Sequence, residues 1–211
     1  MNRLMRFLLI LGGAVVVALT FSFPVWRPFF VNDTVAEVFP GLTSDQQTAF
    51  LALPPDVQKA YQELSKTNAA LASTLVQAVL SPNVEVSQVD QSMPAMTDPT
   101  VIATGVFSEI DVIHSGSGNV LLYQLPDNSR IMRFENFRVT NAPELHVYLT
   151  RNPAPRTLEE IGNDYIDLGP LVGNVGSQNY TVPAEVDFSQ YQGVVIYSPV
   201  IAVIFSTANI S

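Results

Sequence analysis

The only imidazoles in the chain belong to His114 and His146. A neutral imidazole can ligate a metal, and the two histidines together could bind copper or zinc with a carboxylate such as Asp111 or Asp167. His114 and His146 are therefore the candidate metal ligands, although no His-x-His or His-x-x-x-His spacing joins them. His114 precedes a glycine-rich turn, Asp111-Val-Ile-His-Ser-Gly-Ser-Gly118, where a ring nitrogen commonly bonds backbone. The chain has no cysteine, which removes disulfides, thiolate metal sites and thiol redox chemistry together. Ser198 sits in no Gly-x-Ser-x-Gly elbow and has no evident base, so it reads as structural. Between Asp167 and Asn179, the residues Gly169, Gly173, Asn174, Gly176, Gln178 and Asn179 suit shaped turns. With only Asp164 and Asp167 nearby, calcium binding is poorly supported, and the glycines lack the Gly-Lys-Ser/Thr of a phosphate loop. No catalytic set emerges.

The elements that must hold these residues are legible in the C-terminal half. From Val101 onward, β-branched and aromatic residues cluster in short runs separated by Gly, Asn, Asp and Pro. Strands are predicted at Val101–Phe107, Asn119–Gln124, Arg130–Val139, Leu145–Leu149, Asn179–Val182, Val194–Tyr197 and Ile201–Phe205. In Glu144–Thr150, Leu145, Val147 and Leu149 alternate with Glu144, His146, Tyr148 and Thr150. The fold class is all-β, an antiparallel β-sandwich or partly open barrel over residues 101–211. Arg133 and Glu135 share a strand face and could pair. Tyr123, Tyr148, Tyr165, Tyr180, Tyr191 and Tyr197 give this region most of the tyrosines, which can contact glycans or proteins or be half-buried strand residues.

Upstream, residues 31–80 read as a short helical stalk. Ser44 and Gln47 have capping-box spacing, Pro54-Pro55 separates two helices, and Ala69–Leu80 is helix-prone. Residues 81–100 read as a linker, with Pro82, Pro94 and Pro99 and no periodicity. At the N-terminus, residues 1–30, Arg3 and Arg6 precede the uncharged run Phe7–Phe23, about 25 Å long as a helix. The preferred reading is a single-pass signal anchor, a transmembrane helix with the rest of the chain extracytoplasmic; a cleaved signal peptide is the alternative. Net charge is −9 and no basic run occurs, so nucleic acid is not an expected partner.

The runs Arg133–Val139 (RFENFRV), Pro143–Thr150 (PELHVYLT), Tyr165–Gly169 (YIDLG), Leu171–Pro183 (LVGNVGSQNYTVP) and Tyr191–Phe205 (YQGVVIYSPVIAVIF) together resemble the DM-thirteen domain. The residues carrying the likeness include Arg133, Phe134, Leu145, Tyr148, Asp167, Gly169, Gly173, Asn174, Gly176, Gln178, Asn179, Tyr180, Tyr197 and Ser198. The resemblance covers about residues 101–208 and implies an extracellular β-domain with a role in electron transfer, partly through a late cysteine. Family members typically place a Trp-Cys where this chain has Tyr197-Ser198. Two functions follow as expectations. The first is a membrane-anchored, non-enzymatic binding or adhesion module, with the membrane as a partner through Phe7–Phe23 and a surface protein or polysaccharide as ligand. The alternative is a redox or metal-linked electron-transfer domain. No cofactor is expected, with copper or haem left open.

Overall fold

The computed structural model describes residues 2–26, 38–86, 91 and 100–211. They fall in two units, Met1–Val38 and Phe39–Ser211. In the first unit, α1 spans Arg3–Trp26 and carries exposed apolar side chains, among them Leu4, Phe7, Leu11, Val17 and Phe21. Several of its side chains, including those of residues 8–10 and 15–16, lie outside the described residues. Among the described residues no helix is long and apolar enough to cross a membrane, so the transmembrane reading of Phe7–Phe23 gains no support here. Of the expected linker, residues 87–90 and 92–99 also lie outside the described set.

The second unit begins with α2 (Ser44–Leu51), α3 (Pro55–Thr67) and α4 (Ala69–Val79). The capping box falls one residue earlier than the sequence spacing predicts: Thr43 Oγ1 accepts from Gln46 N, and Gln46 Oε1 accepts from Thr43 N. The two candidate boxes overlap, and the observed one releases Gln47 to bond both backbone groups of Phe39. Pro55 opens α3, where a missing N–H costs no helical bond. Phe39, Phe50 and Tyr61 stack in sequence, with ring centroids 5.2 and 6.4 Å apart, and α4 buries Ala72, Leu75 and Val76.

The strands are β1 (Thr100–Glu109), β2 (Gly116–Gln124), β3 (Arg130–Val139), β4 (His146–Thr150), β5 (Tyr165–Pro170), β6 (Gln178–Val182), β7 (Gly193–Ser198) and β8 (Val203–Asn209); a short α5 (Leu158–Ile161) precedes β5. They form one antiparallel sheet of eight strands in the order β5-β4-β7-β8-β1-β2-β3-β6. This sheet curls into a nearly closed barrel, the barrel-like form of the two all-β architectures expected. A T-shaped and tilted aromatic group fills part of it: Phe107 lies 4.9 Å from Phe134 and 5.0 Å from Phe137, and Phe134 lies 5.1 Å from Tyr180. Where the two end strands approach, Val172 N donates to both Gln178 Oε1 and Tyr180 Oη. Residues 83–86 are stitched to the same region, Val84 N donating to Asn174 Oδ1 and Val86 N to Val175 O.

The β2–β3 ladder contains a bulge between Ser117 and Asn119. Gly118 (φ 119°) and Asn136 (φ 50°) supply its unusual backbone. A Cβ on Gly118 would lie 2.8 Å from Phe137 Cα and 2.9 Å from Glu135 O, and neither backbone atom can swing away. Gly118→Ala is therefore expected to lower unfolding stability by about 1–3 kcal/mol, read as a lower denaturant midpoint; an unchanged midpoint contradicts the tight bulge.

Candidate functional site

β4 lies between β5 and β7. Its register sets His146 opposite Tyr197 and Tyr148 opposite Val195 on one side, and Tyr148 opposite Asp167 and Thr150 opposite Tyr165 on the other. Side chains alternate along a strand, so His146, Tyr148 and Thr150 share the face opposite Val147 and Leu149. The sequence pattern marks that face as the polar one, facing solvent or packed within the sheet. Instead Tyr148, Tyr197, Val195, Ile204 and Ile161 form a second apolar cluster with Ile110 against it. The strand is covered on both faces because α5 supplies Ile161 and the residue just after β1 is Ile110.

Three tyrosines meet on this face. Tyr148 stacks on Tyr165 with centroids 4.5 Å apart and planes 11° from parallel, and Tyr197 is tilted against Tyr148 at 5.3 Å. Tyr148 and Tyr197 are buried, whereas Tyr165 is 43% exposed. Burial pushes the Tyr148 phenol up to about 12, helped by the Asp167 charge and by the charge and hydrogen bond of Tyr165. Burial likewise raises Tyr197, with a further contribution from Tyr165. At the rim, the His146 ring lies 6.3 Å from Tyr148, and its Nδ1 is 2.9 Å from Asp167 Oδ2. A register shift between His146 and Tyr148 in the β4–β5 pairing and Gly169 at φ 107° shape this corner. Gly169 N donates to Asp167 Oδ1 at 2.8 Å, fixing the carboxylate toward the imidazole.

His114 occupies a separate place, the loop between β1 and β2. Asp111 Oδ1 accepts from the backbone N–H groups of Ile113 and His114, and its Oδ2 lies 2.9 Å from His114 Nδ1. The imidazole packs edge-on to Phe205 at 5.1 Å, and its buried Nε2 has no hydrogen-bond partner among the described residues. Each histidine thus has its own carboxylate, Asp111 in the same loop for His114 and Asp167 on the neighbouring β5 for His146. Among the described residues, no group of three or more His, Cys, Asp or Glu side chains could hold a metal ion.

The other residues singled out from the sequence have visible structural work. Arg133 Nε donates to Glu135 Oε1 at 2.9 Å and Nη1 to Asn179 Oδ1 at 2.9 Å; Asn179 Nδ2 and N donate to Gln91. Phe134 is fully buried and Leu145 nearly so. Gln178 is buried and exchanges hydrogen bonds with Gly173, while Tyr180 Oη donates to its Oε1 at 2.7 Å. Asn174 Nδ2 reaches Val139 O and Asn83 Oδ1. Gly173 has Val84 O where a Cβ would lie, at 2.5 Å, and Gly176 adopts φ 114°. Ser198 is fully buried, and its Oγ donates to Pro143 O at 2.5 Å. The meeting of Tyr148, Tyr165 and Tyr197 was not legible beforehand; the alternation placing Tyr148 beside His146 was its only sequence signal.

An eight-stranded antiparallel barrel-like domain with a late serine beside this tyrosine face defines the class. Residues 107–210 match the family model described as electron transfer DM13. No curated protein and no solved structure matches the chain.

Burial alone would raise the Asp111 carboxyl, but the hydrogen bond and charge of His114 and the two backbone donors outweigh it and hold it at about 2. Its folded value lies below the unfolded one of about 3.9. Its contribution to stability is therefore complete above about pH 4 and lost as pH falls toward 2. Asp111→Asn is expected to destabilise the protein at neutral pH, with the gap to wild type closing between about pH 4 and pH 2; a gap constant over that range contradicts the pairing.

Proposed function

We propose that the chain is a membrane-anchored electron-transfer module whose redox-active side chains are Tyr148, Tyr165 and Tyr197 rather than a thiol. The contact of these three rings beside the His146–Asp167 pair is the observation that carries the reading. Rings 4.5–5.3 Å apart are in van der Waals contact, so an electron or hole need not cross intervening protein between them. Oxidation of a phenol removes one electron to an oxidising partner and releases the hydroxyl proton, leaving a neutral phenoxyl radical. Because Tyr148 stays protonated up to about pH 12, loss of the electron is coupled to loss of the proton. The His146–Asp167 pair on the same face is a base to receive it. The exposed edge of Tyr165 is the point of exchange with the partner.

Attachment through α1 belongs to the same proposal. It rests on the uncharged run Phe7–Phe23 in the sequence. Arg3 and Arg6 favour a cytoplasmic N-terminus and an extracytoplasmic barrel. A second reading uses the same face for binding. Tyr165 at 43% exposure, with Asp167 on the same edge strand, offers a ring and a carboxylate to a surface protein or polysaccharide. Binding to a glycan array that is lost in Tyr165→Ala supports this second use.

Film voltammetry of the full chain tests the redox proposal. The oxidation midpoint is expected to fall by about 59 mV per pH unit for one electron and one proton, over about pH 8 to pH 11, above the histidine range. The double substitution Tyr148→Phe and Tyr165→Phe is expected to diminish the wave, and the further substitution Tyr197→Phe to remove what remains. A wave that is pH-independent, or unchanged in the double variant, contradicts the proposal.

A further inference from the structure

The top of the barrel holds a second feature, independent of the tyrosine face. A cavity of about 220 Å³ opens between the end of α4 and the β2–β3 ladder, lined by Val79, Asn83, Ser117, Arg138, Thr140 and Asn141 together with backbone of the same strands. Among the described residues no Asp or Glu contributes to its wall, although the chain carries a net charge of −9. Arg138 is the one cation in the lining, and no side-chain partner holds its guanidinium among the described residues. The bulge at Gly118 builds the wall: it resets the register so that Ser117 stands opposite Arg138. Thr140 is tied in place by exchange with Ser115, donating through Oγ1 to Ser115 O and accepting from Ser115 N. On the other side, Asn83 is held through Asn174.

We propose that this cleft binds a small ligand bearing an oxyanion, a carboxylate or a sulfate, on Arg138. A guanidinium presents a planar fork of donors matched to two oxygens of such a group. The Ser117 hydroxyl and the Asn141 amide supply neutral polar contacts beside it, suited to hydroxyls on the rest of the ligand. The volume falls below the usual range for drug-sized ligands, about 300–1,000 Å³, and suits a single sugar acid or an inorganic anion. The acid-free lining lets an anion approach closely despite the charge of the whole protein, because exposed charges beyond about 8–10 Å are screened at physiological salt.

NMR titration of the full chain in detergent micelles with sodium glucuronate, inorganic sulfate and neutral glucose tests the inference. Saturable shifts at Arg138, Ser117 and Asn141 are expected with an anion and absent with glucose. Response to sulfate identifies a simple oxyanion site, and response to glucuronate alone a sugar-acid site. Arg138→Gln is expected to weaken binding at least about tenfold, the loss of one charge-assisted hydrogen bond, with Arg138→Lys retaining part of it. If Arg138→Gln unfolds, Ser117→Ala replaces it and is expected to weaken binding while the fold persists. No saturable response to either anion, equal response to glucose, or unchanged affinity in the folded variants overturns the inference.

Discussion

The arrangement depends most on the register of β4. It is a five-residue strand with a neighbour on each side, and both faces are covered. Val147 and Leu149 are fully buried on one face, and Tyr148 and Thr150 are nearly or fully buried on the other. A slip of one residue would exchange these sets, sending the Tyr148 phenol and the His146 imidazole toward the barrel interior and Val147 and Leu149 to the other face. Both pairings also fix distance: Tyr148 meets Tyr197 diagonally across β7 and Tyr165 across β5, while His146 meets Asp167 only because the β4–β5 ladder shifts between them. The site is therefore a consequence of strand pairing, not of a loop that could be exchanged.

The rest of the barrel protects that register. The strands at the two ends of the sheet are brought together by buried side-chain amides rather than by a complete ladder. Gln178 bonds Val172, Gly173 and Tyr180, and Asn174 bonds Val139, Asn83 and Val84. A buried amide left unpaired costs about 1–3 kcal/mol, so these residues hold one closure geometry. This accounts for the polar residues between Leu171 and Val182 without assigning them a ligand. Residues 83–86 take part in the same closure, linking the helical segment to the barrel.

Much of the β-domain was legible because alternation and turn residues mark strands locally; the bounds of β3 agree with those read from the sequence. β5 was missed. Its Tyr165–Gly169 run includes Asp167 and Gly169, residues that suit turns, and it becomes a strand by pairing with β4. The candidate site was legible only in its components. His146 was correctly placed beside Tyr148, but Asp167 lies 21 positions away from His146, and contact across strands is set by register. The family likeness was readable; the structural role of Ser198, buried and donating to Pro143 O, was readable only as the lack of an activating partner. What the tyrosines do together was not readable, because stacking of Tyr148 on Tyr165 exists only in three dimensions.

On the proposed function, an oxidising equivalent delivered to this protein comes to rest on the Tyr148–Tyr165–Tyr197 cluster. Electron paramagnetic resonance after flash oxidation of the full chain measures this most directly, with each tyrosine replaced by phenylalanine in turn. The account predicts a tyrosyl radical whose yield collapses on substitution of Tyr148 or Tyr165 and is indifferent to substitution of Tyr123 or Tyr191. A radical that forms equally well without Tyr148 and Tyr165, or that follows Tyr123 or Tyr191 instead, would contradict it.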